Sequence, residues 1–119
     1  MLPAARRMRR SVDFTAAVRR GRRAWRPTLV LHVRSRQECS EPARVGLIVS
    51  KAVGNAVTRH RVSRRLRAVC AQGVDGWGAG DLVVIRALPA AAAATSDQLA
   101  NDLDQAASRL GLAHSADAS

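Results

Sequence analysis

Five arginines fall within nine residues of this sequence, at positions 59, 61, 64, 65 and 67. Guanidinium groups bind phosphate oxygens through paired hydrogen bonds, so a cluster of this kind suits recognition of a polyanion. No Asp or Glu occurs between Glu41 and Asp75. A solvated helix face, which is the alternative, commonly mixes both signs of charge. The one-signed cluster therefore predicts a contact with nucleic acid.

Positive charge extends beyond this cluster and is unevenly distributed. The 119 residues carry a formal net charge of +11, and the sequence pI is ≈ 11.8. Of the 20 Lys and Arg residues, 18 lie in residues 1–67, where there are only three acidic residues. Such a gradient indicates a polyanion-facing surface and a separate solvated face. General solubility and contact with an anionic membrane are the alternative explanations of a basic chain.

The element that must position the arginines is a helix, predicted from Ala56 to Gln72. Its buried stripe has helical spacing and consists of Val62, Leu66, Val69 and Cys70. Asn55 is placed to cap it, and Gly54 permits a close backbone approach. Arg61, Arg64 and Arg65 are predicted on the opposite side, with His60 and Arg67 on a flank. Arg59 falls toward the stripe, which indicates an irregular helix start or a side chain reaching out from an edge.

The remaining elements follow from periodicity and capping signals. A first helix should run from Ser11 or Asp13 to about Arg20 and a last helix from Thr95 or Ser96 to about Leu110, with strands at 28–34, 44–50 and 81–87. This order predicts an α+β fold, a two-layer sandwich of helices on a mainly antiparallel sheet, with the second strand antiparallel to the first. We expect a single domain, 1–119, with a flexible basic arm (1–10) and tail (112–119). Trp25-Arg26-Pro27 is predicted as a turn or a short edge segment, and Trp77 is predicted in a loop.

Other classes of site find little support. Cys39 and Cys70 have no metal-ligand spacing, and Cys70 is expected in the core. The three histidines are scattered and no carboxylates are paired, so neither a protein-borne catalytic centre nor a protein-bound metal is expected. The sequence contains neither a secretory signal nor a membrane span, and a cytoplasmic location is expected.

The stretch from Arg44 to Arg67 resembles the signature of the bacterial ribonuclease P protein family. That signature is a strand ending in Ser-Lys, then Gly-Asn-Ala-Val, then Arg-Asn-Arg, then a basic helix. The matching residues are Arg44, Gly46, Ser50, Lys51, Gly54, Asn55, Ala56, Val57, Arg59, Arg61, Arg64, Arg65 and Arg67. His60 stands in place of the central Asn, and Ser63 stands where Lys or Arg is common. The resemblance covers most of residues 7–90.

The resemblance implies a ribosomal-protein-S5-like fold with a left-handed βαβ crossover. It implies a ribonucleoprotein endoribonuclease, in which the RNA subunit with Mg²⁺ hydrolyses the bond that releases the 5′ leader of precursor tRNA. The protein would bind ribonuclease P RNA and the leader, and would be monomeric by itself. The residues implied at the RNA subunit are Lys51, Asn55, Arg59, His60, Arg61, Arg64, Arg65 and Arg67. Arg61→Ala or Arg65→Ala is expected to weaken binding of the RNA subunit and to lower its salt dependence.

The residues implied at the leader, in a cleft between the first helix and the sheet, are Arg7, Arg10, Phe14, Val18 and His32. Core packing is the alternative for Phe14, and an ordinary strand position is the alternative for His32. The sequence has one Phe, two Trp and no Tyr, so few rings are available for stacking on bases. The rival functions are a non-catalytic RNA-binding module of related fold and a helix-turn-helix-like DNA binder. A basic helix that follows two strands disfavours the second.

Overall fold

The computed structural model describes residues 7–8, 17–19, 21–35, 43–73, 77 and 80–112. The described elements are strands β1 (Arg22–Trp25), β2 (Leu29–Ser35) and β3 (Arg44–Ile48), helix α1 (Ala56–Gly73), strand β4 (Asp81–Ala87), a 3-10 helix (Pro89–Ala93) and helix α2 (Ser96–Arg109). The predicted α+β class is therefore confirmed. None of the described helices is both long and apolar enough to cross a membrane.

The four strands form one mixed sheet in the order β1-β2-β4-β3. The β1–β2 and β2–β4 pairs are antiparallel, whereas β3 and β4 are parallel and are joined through α1 as a βαβ unit. β2 and β3 run in opposite directions, as predicted, but they are not neighbours because β4 lies between them. Nearly every side chain of β4 is buried on both faces of the sheet, which suits a central strand.

Both long helices pack on the same face of the sheet and enclose the main core. The stripe predicted for α1 is confirmed, because Val62, Leu66, Val69 and Cys70 are its buried residues. They join Leu31 and the other inward strand residues in a single cluster that also contains Leu99 and Leu103 of α2. Burial raises the pKa of the Cys70 thiol to about 12, so this cysteine is an un-ionised core residue.

Strand β1 forms the edge of the sheet next to β2. It includes and extends the short edge segment predicted at Trp25. The pairing of β1 with β2 also explains why a glycine, Gly21, precedes the strand. A Cβ atom at Gly21 would lie 2.4 Å from the carbonyl oxygen of Val33 and 2.5 Å from that of Ala17. Only glycine therefore fits where the chain passes into β1 against the neighbouring strand. The Arg22 guanidinium donates to the carbonyl oxygen of Leu110, 3.0 Å away, which ties this edge to the end of α2.

Described parts of the N-terminal region lie on the other face of the sheet. Residues 17–19 are helical, and Ala17 packs with Met8, Leu82 and Val84 in a second, smaller cluster. The amide of Met8 donates to the carbonyl oxygen of Val45 at 2.8 Å. The amide of Met8 thus holds this part of the arm against β3, and Leu112 at the start of the predicted tail is buried. The flexibility of the arm and tail stays a prediction, and the rest of both segments lies outside the described residues.

Helix α2 begins with the predicted cap. The Thr95 hydroxyl accepts from the amide of Gln98 at 3.1 Å, and the Gln98 side chain accepts from the amide of Thr95 at 2.8 Å. Further along α2, the buried Asp102 carboxylate accepts from the Thr28 hydroxyl at 2.6 Å and from the Thr28 amide at 3.1 Å. This carboxylate holds the start of β2 against the helix.

Candidate nucleic-acid interface

The first basic surface lies on α1 and the turn before it. Asn55 caps the helix as predicted, since its Oδ1 accepts from the amide of Thr58 at 2.9 Å. A Cβ atom at Gly54 would approach Thr58 Cγ2 to 2.9 Å, which explains the glycine before the cap. Lys51 is exposed in the turn that enters this cap. The predicted helix start is therefore regular and exposes its first amide groups beside a cation, which is an arrangement suited to phosphate.

We call Val57, His60 and Arg64 the outer surface of α1, because these three side chains are exposed along one side of the helix. Together with Ala56 and Arg61 they line a surface cavity of about 390 Å³. Val57 is 75% exposed and lies between the cations of this surface, which leaves it accessible for apolar contact with a ligand. Arg67 is half-buried on one flank of this surface.

Arg61 and Arg65 lie on the other flank, and their predicted position opposite the apolar stripe is wrong. Arg61 Nη2 donates to the carbonyl oxygen of Ala92 at 3.0 Å, and Arg65 Nη1 donates to that of Ala94 at 2.8 Å. Both guanidinium groups are therefore drawn toward the 3-10 helix and the residue that follows it. A helical wheel locates the apolar stripe but does not reveal which side of the helix a neighbouring carbonyl will occupy.

Arg59 lies toward the apolar stripe, as the wheel indicates. Its amide donates to the carbonyl oxygen of Asn55 at 2.9 Å, so the helix backbone is regular at this position. The Arg59 side chain lies apart from the other arginines because of its place on the helix, not because the helix start is irregular. The Arg59 Nε atom is buried and has no hydrogen-bond partner in the described part of the chain. A buried unpaired donor is costly, and such atoms often mark a place where a ligand completes the bonding.

The second basic surface is the sheet face opposite α1 and α2. Side chains alternate between the two faces along a strand, so Leu82, Val84 and Arg86 of β4 lie on this face. The residues that pair with them across the sheet lie on the same face. We call it the cleft face and define it by Arg23, Trp25, Val30, His32, Arg34, Leu82, Val84, Arg86, Arg44, Gly46 and Ile48. None of these strand residues is acidic. The guanidinium groups of Arg23, Arg34 and Arg86 make no hydrogen bond or ion pair within the described part of the chain.

His32 lies at the centre of the cleft face. It is only 2% exposed, and neither ring nitrogen has a hydrogen-bond partner among the residues that the structure describes. Burial, followed by the charges of Arg86 and Arg23, lowers the pKa of His32 below its ordinary value of 6.5. The ring is therefore neutral at neutral pH and keeps one donor and one acceptor unused. Buried polar atoms in proteins usually have partners, so these two nitrogens keep His32 a candidate contact residue beside the alternative of an ordinary strand position.

The other residues predicted at the leader are only partly described. Val18 is half-buried against the Met8–Ala17 cluster, and Arg7 bridges to Val45 at the start of β3. Both therefore border the cleft face. Arg10 and Phe14 lie outside the described residues. Sequence reasoning missed Trp25, Arg23, Arg34 and Arg86 on this face, although the alternation of Ala24 with Arg23 and Trp25 is a strand signal.

Metal-binding side chains do not gather on either surface. Among the described residues, no three His, Cys, Asp or Glu side chains come together in a way that suits a metal ion. The described part of the protein thus offers cations and hydrogen-bond donors but no cage for Mg²⁺.

Known proteins with similar sequences and folds all point to one family. The sequence pattern of the family described as Ribonuclease P matches residues 2–111. The chain is 51% identical over 117 residues to the ribonuclease P protein component of Streptomyces bikiniensis, covering 92% of this chain and 95% of the relative. It is 53% identical over 112 residues to the ribonuclease P protein component of Beutenbergia cavernae, with 94% and 93% covered.

The fold comparison agrees with the sequence comparison. The Staphylococcus aureus RNase P protein superposes with a TM-score of 0.80 at 23% identity, covering 92% of this chain and 99% of that chain. At this identity the likeness concerns the fold, while the family rests on the sequence relatives. The chain therefore belongs to the ribonuclease P protein family and is a protein component of that endoribonuclease.

Proposed function

We propose that this protein binds ribonuclease P RNA through α1 and the 5′ leader of precursor tRNA through the cleft face. The observation that carries the proposal is the placement of two basic surfaces on opposite sides of one sheet. Helices α1 and α2 pack on the face that holds Val83 and Ile85, whereas His32 and Arg86 lie on the other. Two RNA segments can therefore be bound at once without competing for the same side chains.

The α1 surface suits a folded RNA. The exposed cations Lys51 and Arg64 and the half-buried Arg61, Arg65 and Arg67 are fixed on one rigid helix and its capped turn. Phosphate contacts from such an array supply affinity and orientation without reading sequence. Val57 and His60 add an apolar and a polar contact between the cations. We propose that these residues, with Asn55 and Arg59, dock the RNA subunit.

The cleft face suits a single strand. It is a sheet surface rather than a helix, and among the described residues Arg23, Arg34, Arg86 and the buried His32 imidazole make no hydrogen bond. Phosphates of an extended strand would lie against Arg23, Arg34 and Arg86, while the ring nitrogens of His32 would hydrogen-bond to a base or a 2′-hydroxyl. Binding would supply His32 with the partners that the described residues do not provide.

Hydrolysis in this proposal belongs to the RNA subunit, with Mg²⁺ held by that RNA and the substrate. In the part of the chain that the structure describes, no three metal-binding side chains gather on either surface, and metal-assisted phosphodiester hydrolysis by a protein needs such ligands. The protein's part is to hold substrate and catalytic RNA together, as a one-to-one ribonucleoprotein working in the cytoplasm. A non-catalytic RNA-binding module remains the second candidate, and it would have no use for the cleft face.

Reconstitution tests the proposal. The purified protein would be mixed with a bacterial ribonuclease P RNA, and cleavage of precursor tRNA would be followed at low Mg²⁺. We expect the protein to restore cleavage, and to do so more strongly for a substrate with a leader of several nucleotides than for one with a single leader nucleotide. Tight RNA binding without restored cleavage would instead favour the second candidate function, a non-catalytic RNA-binding module.

A further inference from the structure

We propose that Trp25 stacks on a base of the 5′ leader and extends the leader-binding surface to the edge of the sheet. The inference rests on the proposed function of the cleft face. Trp25 is 54% exposed, whereas Trp77 is 7% exposed and belongs to the main core. A large ring held in water on a small protein needs a reason, and exposed aromatic rings are frequent at binding sites.

Strand geometry fixes the side of the sheet on which Trp25 lies. Ala24 is buried in the main core beneath the helices, so its neighbours along β1 point to the opposite face. Trp25 is paired with Val30, and Arg23 is paired with His32. The indole thus lies on the cleft face, two residues or about 7 Å along the strand from the Arg23–His32 pair.

The neighbours of Trp25 identify the chemistry of its partner. Val30 separates it from Arg86 in the next row across the sheet. Arg23 and Arg86 have no acidic partner within the described residues, and the cleft face has no acidic strand residue of its own. A ligand that carries both flat rings and negative charges can stack on Trp25 and pair with these arginines. A single-stranded nucleic acid is such a ligand. A second copy of this chain would instead place arginines against arginines.

Trp25 would also supply an aromatic ring for stacking in a sequence that contains few aromatic residues. A base toward the edge of the face would meet Trp25, while Arg23, two residues away along β1, and Arg86, across Val30 in the same row, are placed for the phosphates. Stacking on an aromatic side chain tolerates any base, so Trp25 would add affinity for the leader without sequence preference.

Binding assays with the assembled ribonucleoprotein test this inference. Trp25→Ala and Trp25→Leu are expected to weaken binding of leader-bearing precursor tRNA by about tenfold, within the range of base–aromatic stacking. Trp25→Phe is expected to retain most of the affinity, because it keeps a ring. The loss should be confined to leader-bearing substrate. Ser108→Ala, an exposed change on α2, is the matched control and should leave binding unchanged.

A fluorescence titration gives a second readout. The sequence has two tryptophans, so Trp77→Phe leaves Trp25 as the only one. Its emission should be quenched by leader-bearing precursor tRNA and not by leaderless tRNA. If wild type prefers leader-bearing substrate but Trp25→Leu binds it equally well, this inference alone is overturned. If wild type shows no preference for a leader, the leader-binding function fails with it. Equal losses on both substrates would make Trp25 structural and would overturn the inference.

Discussion

The Arg65 guanidinium donates a hydrogen bond to the carbonyl oxygen of Ala94, 2.8 Å away, and thereby joins the basic helix to the segment that leads into α2. Arg61 makes the equivalent bond with Ala92 at 3.0 Å. Each bond uses one of the five N–H donors of a guanidinium group, so donors remain for phosphate. The two arginines are consequently held in place within the folded protein, which would lower the entropy cost of the proposed RNA binding.

Arg65→Ala should therefore affect both folding and RNA binding, whereas Arg64→Ala should affect RNA binding alone. Loss of the Ala94 bond is expected to lower the free energy of unfolding by about 1 kcal/mol, measured by urea denaturation. Exposed Arg64 should leave that free energy unchanged within about 0.5 kcal/mol.

For both variants, the slope of log affinity for ribonuclease P RNA against log salt should fall by about 0.7 to 0.9. Arg65→Lys is the control, since it keeps the charge with a different hydrogen-bonding geometry. An unchanged slope in Arg64→Ala would remove that residue from the phosphate contacts.

Asp102 should contribute stability that depends on pH. Burial opposes its ionisation, but the hydrogen bonds from Thr28 and the contact with Arg26 outweigh burial and lower the pKa of this carboxyl group. A lowered folded-state pKa gives stability that is fully present above the unfolded value of about 4 and is lost as pH falls through the folded value.

Asp102→Asn should lower the free energy of unfolding at pH 7 by about 2 kcal/mol and flatten its decline in acid. Asp104→Asn makes the same chemical change at an exposed position of the same helix and should alter stability by less than about 0.5 kcal/mol at pH 7. Urea unfolding between pH 7 and pH 3 provides the comparison. Equal effects of the two substitutions would contradict the role given to the Thr28 hydrogen bonds.

His32 should lower the stability of the free protein and contribute to leader binding. Because its folded-state pKa is lowered, the unfolded chain binds the proton more readily, and stability should decline as pH falls below about 6.5. His32→Leu removes two unpaired buried nitrogens, so it should stabilise the protein by about 1 kcal/mol and remove this decline. The same variant should bind leader-bearing precursor tRNA more weakly. A stabilised variant with unchanged leader affinity would leave His32 as an ordinary strand residue.

Gly21→Ala tests the close approach that starts β1. The added Cβ atom would lie 2.4 Å from a backbone oxygen of Val33, which cannot move without disturbing the β1–β2 pairing. We expect a loss of about 1–3 kcal/mol in the free energy of unfolding, the usual range for an overpacked site. Gly73→Ala is the matched control, because nothing lies within 4 Å of a Cβ atom there. Thermal unfolding of the two variants should differ clearly, and equal melting temperatures would show that β1 adjusts freely.

Much of the fold follows from local sequence, and the misses share one physical cause. The Val62–Leu66–Val69–Cys70 stripe, the Asn55 cap and the Thr95 cap are set by residues within one or two turns, and all three were predictable. The placement of β4 between β2 and β3, and the bonds of Arg61 and Arg65 to distant carbonyls, depend on contacts across the chain. The strand that ends at Trp25 also depends on pairing with β2, because four residues followed by Arg26-Pro27 carry too little pattern to separate an edge strand from a turn.

The central claim is that the two basic surfaces have separate tasks, and a crossed binding measurement tests it most directly. The affinity of Arg64→Ala and of Arg86→Ala would be measured for ribonuclease P RNA, and then, in the assembled ribonucleoprotein, for precursor tRNA with and without a leader. Arg64→Ala should weaken binding of the RNA subunit and leave the preference for leader-bearing precursor tRNA intact. Arg86→Ala should bind the RNA subunit normally and lose part of that preference. Parallel losses in both variants would contradict the division and would favour one continuous RNA-binding surface.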